Sequence, residues 1–169
     1  MSWPRAIGQI PLFYCERPTG RPYNPKDHYT SKYIDVPNEP LYPFGYGLTY
    51  GQCRLGNLVV VPDRVTEKDT IEARVDLTNE GTHAAEETVF LFIHHKVASV
   101  TRPLLELRGV GKVTLQPGET RTVRICVAAA DLRFLGLDLK PVFEPGEVEV
   151  LVGPHAERSQ LLVQTLRLT

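Results

Sequence analysis

In the run TIEARVDLTN, Ile71, Ala73, Val75 and Leu77 alternate with Glu72, Arg74, Asp76 and Thr78. A period of two is the mark of a strand with one face in a core and the other in water. The next residues, NEGTHAAEE, supply an Asn-Glu-Gly turn, and TVFLFIHHKV follows as a nearly continuous apolar run. Such a run predicts a strand buried on both faces or lying at the centre of a sheet. LLELRGVGKVTL then leads into QPGET, where Pro117 and Gly118 predict a tight turn, and TRTVRICVAA alternates again with Val123, Ile125 and Val127 inward. A second Pro-Gly device, EPGE at 144–147, precedes VEVLVG, while RLGNLVVV stands at the front of the series and SQLLVQTLRL at its back.

The pattern amounts to about seven or eight short strands spaced about ten residues apart. Only AADLRFLGL hints at helix, for one turn. With no long segment of period 3.6 to cross over between parallel strands, the predicted fold is all-β. The expectation is an antiparallel two-sheet β-sandwich of immunoglobulin or fibronectin type III kind over 53–169.

Residues 1–52 follow another pattern. Eight of the 14 prolines, at positions 4, 11, 18, 22, 25, 37, 40 and 43, remove backbone donors and push the residues before them toward extended conformations. Neither a long helix nor a central strand persists through such a segment. Yet ten of the chain's 14 aromatic residues also lie there, and disordered linkers are poor in aromatics. The expectation is an extended arm that lies across its own domain or a neighbour.

A length of 169 residues suits one domain with a real core plus an extension. A formal net charge of −1 with no local basic run offers no footprint for nucleic acid or an anionic membrane, so neither is expected as a partner. No apolar run approaches the roughly 18 residues of a membrane helix, and MSWPRAIGQIPLFY does not read as an export signal. A soluble chain is expected, with its compartment left open. Cys15, Cys53 and Cys126 are odd in number and lack metal-ligand spacing, which predicts free thiols.

Candidate chemistry is sparse. Asp27, Asp35, Glu39, Glu86, Glu87 and Glu144 could supply a glycosidase carboxylate pair, but nothing in their spacing gives two of them a common site. Glu86 and Glu87 project to opposite faces of a strand, and Glu144 and Glu147 flank a turn, so solvated surface positions are expected. His94 and His95 likewise face opposite ways and lack a nearby third ligand, which reads as one surface and one strand-end histidine rather than a metal site. GVGK at 109–112 resembles the end of a phosphate loop, but Glu106 and Val113 stand where a glycine and a Ser or Thr belong. Ser99 and Ser159 have no spacing that recruits a histidine and an aspartate. No catalytic residue, cofactor or metal is assigned, and fold alone does not set function.

Five segments, PRAIGQIPLFY, GRPYNP, YTSKYIDVPNEPLYPFGYGLTY, VASVTRPLLELRGVGKVTLQPGET and VFEPGEVEVLVG, resemble in order and spacing the C-terminal part of bacterial β-glucosidases of glycoside hydrolase family 3. The resemblance spans nearly the whole chain. It implies a fibronectin type III-like domain that, in the family, follows a β/α barrel with the nucleophilic aspartate and an α/β sandwich domain with the acid/base glutamate. Neither carboxylate's motif occurs here, so no family catalytic residue maps onto this chain, and the implied role is a non-catalytic accessory domain.

The implied partners are the missing catalytic domains, in cis or in trans. Tyr42, Phe44, Tyr46 and Tyr50 would then pack where domains meet, each ring burying about 150–250 Å². The same surface could pair with a second copy of the chain. The alternatives are a free-standing carbohydrate- or protein-binding module whose arm aromatics stack on sugar, and one subunit of a split glycosidase. After Ile93 the family often carries an acidic residue where this chain reads His94-His95-Lys96, so a family contact made there does not carry over.

Overall fold

The computed structural model describes residues 1–9 and 12–169. Ile10 and Pro11, the latter one of the arm's eight prolines, lie outside the described residues. Seven strands of seven residues or more form the body: β1 (Cys53–Val61), β3 (Thr70–Asn79), β4 (Ala85–His95), β5 (Glu106–Leu115), β6 (Thr120–Ala128), β9 (Gly146–Gly153) and β10 (Leu162–Leu168). Three two-residue strands complete the set: β2 (Arg64–Val65), β7 (Phe134–Leu135) and β8 (Pro141–Val142). The helical hint at AADLRFLGL is a single 3-10 turn, Ala129–Leu132.

Two sheets face each other, one ordered β1-β3-β6 and the other β2-β10-β9-β4-β5, with β7 and β8 pairing as a small separate hairpin. The alternation in β3 works as the pattern predicts, since Ile71, Ala73, Val75 and Leu77 are buried. They meet Val89, Leu91 and Ile93 of β4, Val123, Ile125 and Val127 of β6, and Val148, Val150 and Val152 of β9 in one interior cluster. Asn79, fully buried, organises the β3–β4 turn: its amide donates to the His83 carbonyl at 2.8 Å and its Oδ1 accepts from the Gly81 N–H at 3.0 Å.

The expected antiparallel order holds except at one edge, where β2 runs parallel to β10 through Arg64↔Arg167 and Val65↔Leu168. After β1 the chain crosses from the three-stranded sheet to the edge of the other. Because β2 and β10 are about a hundred residues apart in sequence, no short connection forces them antiparallel. At the adjoining seam the Gln164 side chain stands in for a strand partner, accepting from the Val60 N–H at 2.9 Å.

The two glycines of GVGK owe their place to packing. A Cβ on Gly109 would lie 2.4 Å from Ile125 Cγ2, and one on Gly111 would lie 2.8 Å from Val123 Cγ1, so β5 approaches β6 more closely than any side chain permits. Next to Gly109 the β4–β5 register slips: Leu91 faces Gly109 while Phe92 faces Leu107, leaving Arg108 as a bulge.

β4 explains its own unbroken apolar run. It is paired on both sides, with β5 and β9, and its second face carries Phe90 and Phe92 into a separate cluster with Leu105, Leu107, Leu151, Leu161 and Ala156. What covers that cluster is the arm.

Candidate functional site

Tyr14 and Phe44 of the arm lie against this outer face. Their rings stack with centroids 4.4 Å apart. Tyr14 reaches Phe92 at 5.9 Å, and Phe44 meets Phe90 edge-on at 5.7 Å, separations at which aromatic pairs attract beyond their buried area. Burial pushes the Tyr14 phenol and the neighbouring Glu16 carboxyl above their ordinary pKa values.

The local sequence makes this docking specific. The Tyr46 N–H donates to the Pro43 carbonyl at 3.1 Å, and Gly45 sits at the third position of that turn with φ +86°. A type II turn requires a positive φ there, which glycine supplies. A Cβ at this point would also lie 2.7 Å from the Phe90 ring, so the turn fits only because residue 45 is glycine. Backbone bonds tie the arm down at both contact points, from Ala156 N–H to the Phe44 carbonyl at 2.8 Å and from Leu104 N–H to the Glu16 carbonyl at 2.8 Å.

The arm's other side faces out. Trp3 and Tyr42 pair as a short antiparallel bridge, and Tyr42 packs on Tyr46 at 4.9 Å, which in turn lies 5.9 Å from the His155 ring. Trp3, Tyr42 and Tyr46 stay 60%, 43% and 45% exposed. Partial burial lowers the pKa of His155. Behind this face the buried Gln9 accepts from the Arg5 N–H at 2.7 Å and donates to the carbonyls of Pro37, Asn38 and Glu39, stitching the arm's two ends together.

The four residues that the sequence singles out therefore divide. Phe44 anchors the arm to its own sheet, Tyr42 and Tyr46 form an outward aromatic face, and Tyr50 stands alone at 94% exposure. Sequence reasoning did not single out Tyr14 and Trp3 individually, although both belong to the aromatic-rich arm. For His155 no local signal exists, because it is delivered by the turn after β9.

The candidate acids are dispersed. Glu86 pairs with Lys112 at 2.6 Å, Glu144 accepts from Ser99, Asp27 accepts from the Tyr29 N–H, and Asp35 and Glu39 are exposed. Glu87 turns inward beside Cys53, whose thiol pKa is raised first by burial and then by that carboxylate. The three cysteines are free, and the described residues contain no cluster of three metal-ligating side chains.

His94 and His95 do face opposite ways, but neither is the expected surface residue. His94 lies 3.0 Å from Glu149 on the outer face, where Arg158 also pairs with Glu149. His95 is 5% exposed on the inner face, edge-on to Phe134 at 5.5 Å. The reason is β4's central place in its sheet, which leaves no side of the strand facing water there. No helix among the described residues is long and apolar enough to cross a membrane.

Comparison with known proteins adds the context. Residues 87–156 match the family described as fibronectin type III-like domain. Over 160 residues the chain is 37% identical to a periplasmic β-glucosidase of Salmonella typhimurium, covering 94% of this chain and 21% of that protein. It is 34% identical over 170 residues to a β-xylosidase of Formosa agariphila, covering 98% and 22%. Its fold superposes on the crystal structure of a β-glucosidase from Listeria innocua in complex with glucose, with a TM-score of 0.91, 34% identity, and coverage of 99% of this chain and 23% of that one. The chain thus spans about a fifth of the length of the curated relatives it matches. The likeness takes in the arm as well as the sandwich.

Proposed function

Since this chain belongs to glycoside hydrolase family 3, matching the C-terminal fibronectin type III-like part of that family's β-glucosidases, we propose that it is a non-catalytic accessory domain that supports and orients catalytic domains. Residues 1–52 serve as its docking arm and 53–169 as its sandwich. The catalytic domains are supplied in cis or in trans, and hydrolysis of the O-glycosyl bond takes place there.

The observation that carries this reading is the two-sided arm. Tyr14 and Phe44 spend their surface on the chain's own sheet. Tyr42 and Tyr46 pack on each other, Trp3 is bridged to Tyr42 through the backbone, and all three rings stay exposed, close in sequence to Met1 through Trp3. Exposed aromatic patches of this kind mark contact sites, and aromatic residues are enriched at the buried centres of interfaces. A domain preceding Met1 in the same polypeptide would be held beside that face at high effective concentration.

The test is reconstitution in trans. A β-glucosidase relative is shortened by its matching C-terminal fifth, and this chain is added back. Binding by calorimetry and recovery of thermal stability are expected, with Trp3→Ala/Tyr42→Ala/Tyr46→Ala weakening association by about tenfold or more, as loss of interface anchors does. Hydrolysis of an aryl β-glucoside by this chain alone, or the absence of any association with the shortened enzyme, overturns the reading.

A further inference from the structure

Glu87 is the one candidate acid that the fold turns inward. It stands two residues before Val89 and four before Leu91 on β4, so its side chain enters the space between the two sheets as theirs do. Cys53 and Leu55 of β1 and Leu77 of β3 meet it there. Its Oε1 is buried and has no hydrogen-bond partner among the described residues. Lys112, which lies opposite Thr88, pairs with Glu86 instead. A carboxylate held in this way is costly, because burial strips its hydration and no partner in the chain offsets the loss.

The carboxylate lines a cleft of about 320 Å³ built from the end of the arm, β1, β3, the start of β4 and the turn after β9. Leu55, Leu77, Val89 and Pro154 give it apolar walls. The Tyr46 and His155 rings, 5.9 Å apart, complete the lining, and since Tyr46 also packs on Tyr42 the cleft adjoins the arm's outward aromatic face. Its rim is fixed in place. The Glu80 N–H donates to the Gln52 carbonyl at 2.7 Å, and a Cβ on Gly51 would lie 2.2 Å from Ala85 Cβ, so the arm is pressed against the start of β4.

No lysine or arginine lines the cleft. The Cys53 thiol and the His155 imidazole are neutral at pH 7, since burial and the Glu87 charge raise the first pKa and burial lowers the second. Glu87 is therefore the charge that a ligand would meet.

These features select an organic cation. A water molecule would complete the hydrogen bond but leave the charge unbalanced, and a metal ion needs a set of ligands that the described residues do not gather. An alkylammonium group brings a charged donor to the carboxylate and a methylene stem to the apolar walls. Arginine's planar fork suits two waiting acceptor oxygens, whereas here one buried oxygen lacks a partner. We propose that this cleft receives a lysine side chain of the domain that docks on the arm's outward face, its ammonium bonding Glu87 Oε1 and its stem lying along Leu55, Leu77 and Val89. Such an anchor rests on the accessory-domain reading, to which it adds one charged contact at a defined place.

Glu87→Gln keeps the shape of the side chain and removes its charge. In the 169-residue chain alone it should leave the melting temperature unchanged or raise it, because an unpaired carboxylate has been taken out of a buried place. In the complex with the shortened relative it should weaken association by about tenfold or more, chiefly through faster dissociation. Acetylating the relative's lysines should cost the parent chain a similar factor and cost Glu87→Gln little beyond it, as a coupled pair requires.

If Glu87→Gln binds as tightly as the parent while Trp3→Ala/Tyr42→Ala/Tyr46→Ala weakens association, the lysine anchor is refuted and the docking reading stands. A lowered melting temperature of Glu87→Gln in the chain alone also overturns the anchor, since Glu87 would then serve the fold. If the parent chain does not bind the shortened relative, the docking reading falls, and the ¹⁵N-labelled chain decides the cleft by itself. N-acetyl-lysine methylamide should then shift residues 46–55 and 87–89 saturably at a dissociation constant of about 10 mM, while the norleucine analogue and the Glu87→Gln chain show no such shift. Its absence up to about 100 mM overturns the cation site as well.

Discussion

His95 should make this domain acid-labile in a pH window set by its burial. Its ring is 5% exposed, its Nε2 has no hydrogen-bond partner, and its edge-on neighbour Phe134 carries the Arg102 guanidinium 4.3 Å from its ring centroid. Burial is the main cause that pushes the imidazole down from 6.5 to about 4. Arg102, Arg108 and His94 push the same way, and Glu106 alone opposes them. Glu144 also lies near, its own pKa lowered chiefly by hydrogen bonds from Ser99 and less by the charges of His95 and Arg102.

Because the folded pKa lies below the unfolded one, the unfolded chain takes up the proton first as pH falls. The stabilisation from keeping His95 neutral is complete above about pH 6.5 and drains away between 6.5 and 4. At 1.36 kcal/mol per unit, the full loss is about 3 kcal/mol, of which about 2 kcal/mol is gone by pH 5. For a domain of this size that corresponds to a fall in Tm of about 4–8 °C between pH 7 and pH 5. The assay is urea unfolding at pH 7, 6 and 5 for the parent and for His95→Phe, which keeps an aromatic ring and removes the titration. The variant's absolute stability is immaterial; its pH 7 to pH 5 difference should shrink by about 2 kcal/mol. Parallel curves for the two proteins would refute the reasoning, since the other histidines are common to both.

Two further substitutions test the packing arguments. Phe44→Ala should cost about 2 kcal/mol in urea unfolding, roughly half the loss for a fully buried phenylalanine, and should speed proteolysis within 1–52 while cleavage of the sandwich stays slow. Gly109→Ala should cost about 1–3 kcal/mol, because its Cβ would fall 2.4 Å from Ile125 Cγ2, and the second change Ile125→Ala should make the glycine substitution nearly neutral by thermal melt.

Much of the fold was legible because its signals are local. The alternation of Ile71 to Leu77, the Pro-Gly turn at 117–118 and the proline spacing before residue 50 are each read within ten residues or so, and each places a strand, a turn or an extended segment without reference to anything distant. The arm's aromatic wealth was equally plain, and with it the expectation that the arm lies across something.

Tertiary structure alone decided what each ring touches. Tyr14 and Phe44 stand thirty residues apart, and they meet Phe92 and Phe90 respectively, dozens of positions further on, only because β4 is central in its sheet with a second apolar face that the other sheet does not cover. That same placement buried His95, which does stand at the end of β4, and drew His94 into a pair with Glu149, where residue order suggested a surface position for one of the two. The parallel β2–β10 edge and the gathering of Tyr46 with His155 are likewise products of the fold. Period and punctuation specify elements because they depend on neighbours along the chain. Which face is covered, and which aromatic rings remain to meet a partner, depends on contacts between residues that the sequence holds far apart.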